Sequence, residues 1–142
     1  MRKLTEIIIH TSATRKSWMQ RASSTAKVNE IRRWHVEDNG WSDIGYHYII
    51  DRNGVVIEGR PLERTGAHTK GHNTGTVGIC LIGGHGGSEA DNFSDHYTHS
   101  QESSLRDLIR RLKTSYPTIR EVSGHNEYAA KACPCFNVKK WY

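Results

Sequence analysis

Nine histidines and three cysteines in a chain of 142 residues are the side chains able to hold a metal or carry a proton near neutral pH. Position sorts them. His10 follows the β-branched run Ile7-Ile8-Ile9, His125 follows Val122-Ser123-Gly124, and Cys133 lies in the loop after that. In a mixed α/β protein reactive groups gather where strands end and loops begin, which singles out these three. Two imidazoles and one thiolate suit zinc, with a fourth tetrahedral position open to water. Bound zinc would keep Cys133 deprotonated and bring the water pKa to about 7, giving hydroxide at neutral pH. Spacing alone also permits a plainer reading, in which His10 is a hydrogen-bonded strand-end histidine and Cys133 an inert surface thiol.

The other candidates have weaker positions. His68 and His72 are four apart, but Gly71 and the surrounding Thr and Gly argue against a helix, so that spacing loses its meaning. His85, His96 and His99 lie in or beside a polar tract expected to be exposed. His35 falls in a predicted helix, where side-chain packing beside Trp34 is the simple expectation. Only Pro134 separates Cys133 from Cys135, a spacing that would strain a mutual disulfide, and an odd cysteine count excludes a disulfide scaffold. Cys135 remains a second thiol able to compete for zinc or form mixed disulfides.

These residues need a scaffold. Leu4 to Ile9 reads as a buried strand ending at His10, and the spacing of Val28, Ile31 and Trp34 predicts a helix over 26–38, stopped by Asn39-Gly40. Gly45 to Ile50 and Val55 to Glu58 flank Asn53-Gly54, the strongest hairpin signal in the chain. Residues 59–75 read as loop, Thr76 to Ile82 as a strand, and 84–97 as an exposed loop. Thr98 and Gln101 form a capping box for a helix carrying Leu105, Leu108, Ile109 and Leu112, ended by Pro117. A last strand, Ile119 to Val122, leads to His125. The expected fold is a single α/β domain over 1–142, with a central mixed β-sheet flanked by helices.

Composition is permissive rather than decisive. With 35% hydrophobic and 25% charged residues the chain is globular and loop-rich. No apolar stretch approaches the roughly 20 residues of a membrane span, and Leu4 to Ile9 is too short for a signal peptide, so the expected starting compartment is the cytoplasm. A net charge of +5 suits an anionic partner. The basic residues are dispersed, and no aromatic and basic platform or nucleic-acid motif accompanies them, so no nucleic acid is expected.

Several segments together resemble one family. Ile8 to Thr14, Glu30 to His35, Gly40 to Ile50 and Lys131-Ala132-Cys133-Pro134 are similar to the type-2 N-acetylmuramoyl-L-alanine amidases, especially short single-domain phage endolysins of the T-seven lysozyme kind. Gly59-Arg60, Gly66-Ala67-His68, Gly71-His72-Asn73 and Val77 to Gly84 fall in the family's order. The resemblance implies the amidase/peptidoglycan-recognition-protein fold. It also implies a zinc hydrolase that cuts the amide between the lactyl group of N-acetylmuramic acid and L-alanine of bacterial peptidoglycan. His10, His125 and Cys133 fall on the family's metal positions, Tyr46 and Lys131 on its two further catalytic positions, and His68 on a position near the cleft that implies substrate contact.

Elementary chemistry is compatible with those roles. Amide hydrolysis needs an activated water, a stabilised oxyanion and a proton for the departing amine. Lys131, tethered two residues before Cys133, would bring positive charge to the oxyanion, and Tyr46 could bond the water or relay a proton. Strand alternation would put Tyr46 and Tyr48 on one sheet face and His47 on the other, so only the family match selects Tyr46. Two other function classes share the resemblance: a non-catalytic peptidoglycan-recognition module, disfavoured because such relatives typically lose the cysteine, and a polymerase-regulating binding protein, which nothing in the sequence tests. The expected picture is a monomer without membrane insertion, released onto the wall with the help of a holin or a secretion partner.

Overall fold

The N-terminal apolar run forms strand β1 (Glu6–Thr11) in the computed structural model, which describes residues 1–142. After helix α1 (Ser24–Arg33) come β2 (Tyr48–Ile50), β3 (Val56–Glu58) and β4 (Thr76–Leu81), then helices α2 (Phe93–His96) and α3 (His99–Ser115), strand β5 (Glu121–Gly124) and helix α4 (Val138–Trp141). The sheet order is β3-β2-β4-β1-β5, with β3 antiparallel to β2 and every other pair parallel. This is the expected mixed sheet. Parallel strands covered on both faces need apolar side chains on both, and Ile7, Ile8, Ile9, Val77, Ile79 and Leu81 are all fully buried.

One face carries the larger core, in which Ile7, Ile9, Val77, Ile79 and Leu81 pack with Leu105, Leu108, Ile109 and Leu112 of α3. The capping box does more than start that helix. Thr98 and Gln101 bond reciprocally, and the buried Gln101 amide also donates to the carbonyls of Ile50 (3.1 Å) and Ile82 (2.9 Å), tying α3 to the ends of β2 and β4. Gly54 in the β2–β3 turn has φ +85°, the left-handed backbone that the Asn-Gly signal anticipates.

The opposite face is only partly covered by helix. Val28 and Ile31 of α1 pack on Ile44, Ile49, Cys80 and Ile82, and a buried Lys27–Asp51 pair at 2.8 Å pins α1 to the hairpin. His10 projects on this same face from β1, which lies beyond that cluster in the sheet order. The functional residues gather there.

Four expectations change in detail. β1 continues through Thr11, so His10 lies inside the strand, paired with Cys80, rather than beyond its end. The first helix is α-helical only to Arg33 and finishes as a π-turn over Trp34–Asp38. The tract 84–97 is not uniformly exposed: Phe93 and Tyr97, four apart on either side of one helical turn, are buried and anchor α2 in the core. Finally, bends at Gly45 and His47 precede β2, and this breaks the alternation assumed for Tyr46 and Tyr48. Tyr48 packs with the larger core and Tyr46 with the cluster under α1, while His47 shares the site side of the sheet with Tyr46. No helix is long and apolar enough to cross a membrane.

Candidate active site

His10, His125 and Cys133 converge, and their donor atoms all lie within 4.8 Å of one another. Each comes from a different element. β1 supplies His10, the 3-10 turn His125–Glu127 after β5 supplies His125, and the loop before α4 supplies Cys133. Register explains the first pairing, because Ile9 lies opposite Gly124 in the parallel β1–β5 ladder and the next residues are the two histidines, whose rings lie 4.6 Å apart. Cys133 Sγ lies 3.9 Å from His10 Nδ1 and accepts the Thr11 N–H at 3.2 Å.

The donor set fits a zinc ion. Burial, followed by the charges of His68, His125 and Lys131, holds His10 well below the ordinary imidazole range, and burial with Lys131 lowers His125. Both rings are therefore neutral and free to ligate near pH 7. Burial, with a smaller push from Cys135, raises the Cys133 thiol to about 12 although the Thr11 N–H and Lys131 favour the anion, so a thiolate there calls for a cation beside it. Two imidazoles and one soft thiolate, converging on one corner, are the ligand types of zinc chemistry.

The other expected residues border this corner. The Tyr46 ring lies 5.2 Å from that of His10, and burial pushes its phenol well above the usual range, so it remains a protonated donor at neutral pH. Lys131 is exposed and lines, with His125, Trp41, Lys70 and Tyr128, a cleft of about 670 Å³. Tyr128, on the cleft wall, is backed by His72, which stacks on it at 4.0 Å. His68 reaches the same cleft, but it is 8% exposed and its Nδ1 lies 2.9 Å from His10 Nε2, which puts it behind the metal corner. Gly78 makes room for it, since a Cβ there would meet the His68 ring at 2.6 Å. Cys135 is buried with Sγ 3.4 Å from the Gly84 carbonyl and takes no part in the donor cluster.

Residues 1–136 of the sequence match the N-acetylmuramoyl-L-alanine amidase family. The chain belongs to that family. It is 41% identical over 140 residues to an endolysin of Klebsiella phage KP32, covering 96% of this chain and 84% of the relative. It is 40% identical over 136 residues to the endolysin of Escherichia phage T7, covering 96% and 83%. Among solved structures, the amidase LysC from Clostridium intestinale superposes with a TM-score of 0.74 at 26% identity, covering 98% of this chain and 83% of that one. Bumblebee PGRP-SA superposes with a TM-score of 0.78 at 28% identity, covering 98% and 81%. The expected fold is therefore the observed one.

Two residues of this amidase that sequence reasoning passed over hold Tyr46 in place. His35 accepts the Gly45 N–H at 2.9 Å, and its ring lies 4.7 Å from Trp41 and 5.4 Å from Tyr46, not against Trp34, which packs at a tilt against Trp18. A regular helix gave no hint of this, because the π-turn re-aims the side chain. Arg60, 8% exposed, donates to the carbonyls of Ile44 (2.9 Å), Thr65 (2.9 Å) and Asp43 (3.1 Å), while its own N–H bonds Tyr46 O at 2.8 Å. The Gly59-Arg60 pair was visible only as part of the family pattern.

A larger groove, of about 930 Å³, runs between α2 and α4, away from this chemistry. Its aromatic group is already committed: Trp141 donates to Glu102 at 2.7 Å, stacks on Phe93 at 5.3 Å and carries Arg106 4.0 Å from its ring centre.

Proposed function

We propose that this amidase hydrolyses the bond between the lactyl group of N-acetylmuramic acid and L-alanine of the peptidoglycan stem peptide, using zinc held by His10, His125 and Cys133. The observation that carries the reading is the convergence of these donors, from three separate elements, beside a cleft lined by Lys131 and His125. A zinc ion held there would supply an ionised water at neutral pH and a Lewis acid for the scissile carbonyl.

The chain's own residues do the rest. His10 and His125 stay neutral through burial and serve as ligands rather than as bases. Tyr46, kept protonated, donates a hydrogen bond to the attacking or developing oxygen and is held for that task by His35 and Arg60. Lys131 places its ammonium beside the developing oxyanion and can pass a proton towards the departing amine. Lys70 and Lys131 make the cleft cationic, which suits a substrate whose peptide bears carboxylates, and the net charge of +5 favours encounter with an anionic wall. His68 supports this site from behind and borders the substrate cleft. The protein acts as a monomer on the wall, reaching it through a membrane-opening partner or a secretion apparatus.

The test is metal removal and return. Purified protein should solubilise peptidoglycan, lose this on chelation and regain it with zinc; lysis untouched by complete chelation would contradict the reading.

A further inference from the structure

A line of hydrogen bonds behind the candidate metal ligand determines which nitrogen of His10 is free. Thr76 Oγ1 lies 2.8 Å from the carbonyl of His72 and 3.1 Å from that of Asn73. Carbonyl oxygens only accept, so the single hydroxyl hydrogen is committed to them. A hydroxyl lone pair then faces His68 Nε2 at 3.2 Å, and that nitrogen must carry the hydrogen. With Nε2–H donating, a neutral His68 presents a bare Nδ1, which lies 2.9 Å from His10 Nε2. His10 donates its Nε2–H there, leaving its own Nδ1 bare and 3.9 Å from Cys133 Sγ.

Thr69 fits the same arrangement. Its Oγ1 lies 2.9 Å from His68 Nδ1 and 3.2 Å from His10 Nε2; when its hydroxyl takes the one lone pair of His68 Nδ1, the His10 Nε2–H donates to Oγ1 instead, with both tautomers unchanged. Below His68, the His47 ring closes the stack at 5.8 Å, with Nδ1 fixed by the Gly78 N–H at 3.0 Å. No carboxylate takes part in these bonds.

We propose that Thr76 and His68 are positioning residues that lock His10 as the Nε2–H tautomer and so reserve its Nδ1 for the metal. The proposal rests on the metal site proposed above and adds to it the device that prepares the ligand before the ion arrives. Metal-bound histidines usually lean on a carboxylate or a main-chain carbonyl. Here a second imidazole takes that place, and a hydroxyl tied to two main-chain carbonyls sets its tautomer.

Nitrogen-15 NMR of the metal-free protein reads imidazole tautomers directly, and should give Nε2–H for both His10 and His68. Thr76→Val keeps the side-chain shape but removes the hydroxyl, so His68 should shift towards Nδ1–H and His10 should divide between tautomers. Zinc affinity, measured by chelator competition, should fall about 10- to 100-fold in Thr76→Val and in His68→Ala. His68→Gln, whose amide oxygen can accept from His10, should recover part of that loss. A predominant Nδ1–H tautomer at His10 in the unaltered protein overturns the proposal. So does a Thr76→Val protein of unchanged thermal stability that binds zinc within about twofold of the original, well inside the loss expected from an outer-shell change. Failure of the unaltered chain to bind zinc would instead defeat the metal site itself, while the tautomers, read without metal, still report on the relay.

Discussion

Nδ1 of His10 and Sγ of Cys133 lie 3.9 Å apart, although 123 residues separate them in the chain. The Thr11 N–H, pointing at the same sulfur across 3.2 Å, makes the contact a property of β1 itself. With β1 fixed between β4 and β5, His125 and Cys133 have a rigid edge to meet, as a metal centre requires.

His125 and Lys131 sit close together but should fail differently. His125→Ala should lose bound zinc and activity together. Lys131→Ala should keep zinc and lose about 100- to 1,000-fold in kcat, the usual cost of one oxyanion-stabilising group. Metal analysis beside turnover measurements checks this, and equal zinc loss in both variants would overturn the division of roles.

Tyr46→Phe retains the ring between His10 and His35 and removes only the hydroxyl. Zinc content and melting temperature should hold while kcat drops about 100- to 10,000-fold, the range for a lost acid–base or hydrogen-bonding group. A variant with unaltered kcat would remove Tyr46 from the chemistry.

Arg60→Ala leaves three main-chain carbonyls without their donor. The expected cost is about 1 to 3 kcal/mol of stability, the usual penalty for a buried acceptor left unpaired, because only the bond to Ile44 is fully buried. Because those carbonyls belong to the segments around Tyr46, kcat should fall with zinc retained. Arg60→Lys should recover little, since one ammonium cannot span the same fork. Urea unfolding and turnover give both numbers.

Acid should weaken the fold through His47. Burial pushes this imidazole down to about 4 from 6.5. Below pH 6.5 the unfolded chain therefore binds a proton that the folded chain refuses, and stability rises with pH across that window. The contribution is complete above about pH 6.5 and lost as pH falls towards 4, amounting to about 2 kcal/mol between pH 7 and 5. His47→Gln should flatten the pH dependence of the urea midpoint by that amount; identical slopes for both proteins would contradict the assignment.

Much of this was legible before any coordinates. Hydrophobic runs marked β1 and β4, Asn53-Gly54 marked the hairpin, and Thr98 with Gln101 marked the start of α3, because each is a local signal with a local cause. The three metal candidates were legible by position, as residues at or near strand ends, and the geometry brings them together. The support around them was not. Tyr46 leaves the strand alternation through bends at Gly45 and His47 that no periodicity records. His35 depends on a π-turn, and the placement of His68 depends on the absence of a side chain at Gly78. Arg60 acts by reaching main-chain carbonyls of two loops, a contact made by tertiary structure rather than by spacing. The buried Phe93 and Tyr97 were hidden in a tract whose average polarity masked them.

Mass spectrometry of a peptidoglycan digest tests the central claim most directly. Zinc-loaded protein should release stem peptides with new N-terminal L-alanine, leave the glycan strands without new reducing ends, and do neither after chelation. New reducing sugar ends, with stem peptides still attached to muramic acid, would contradict the account.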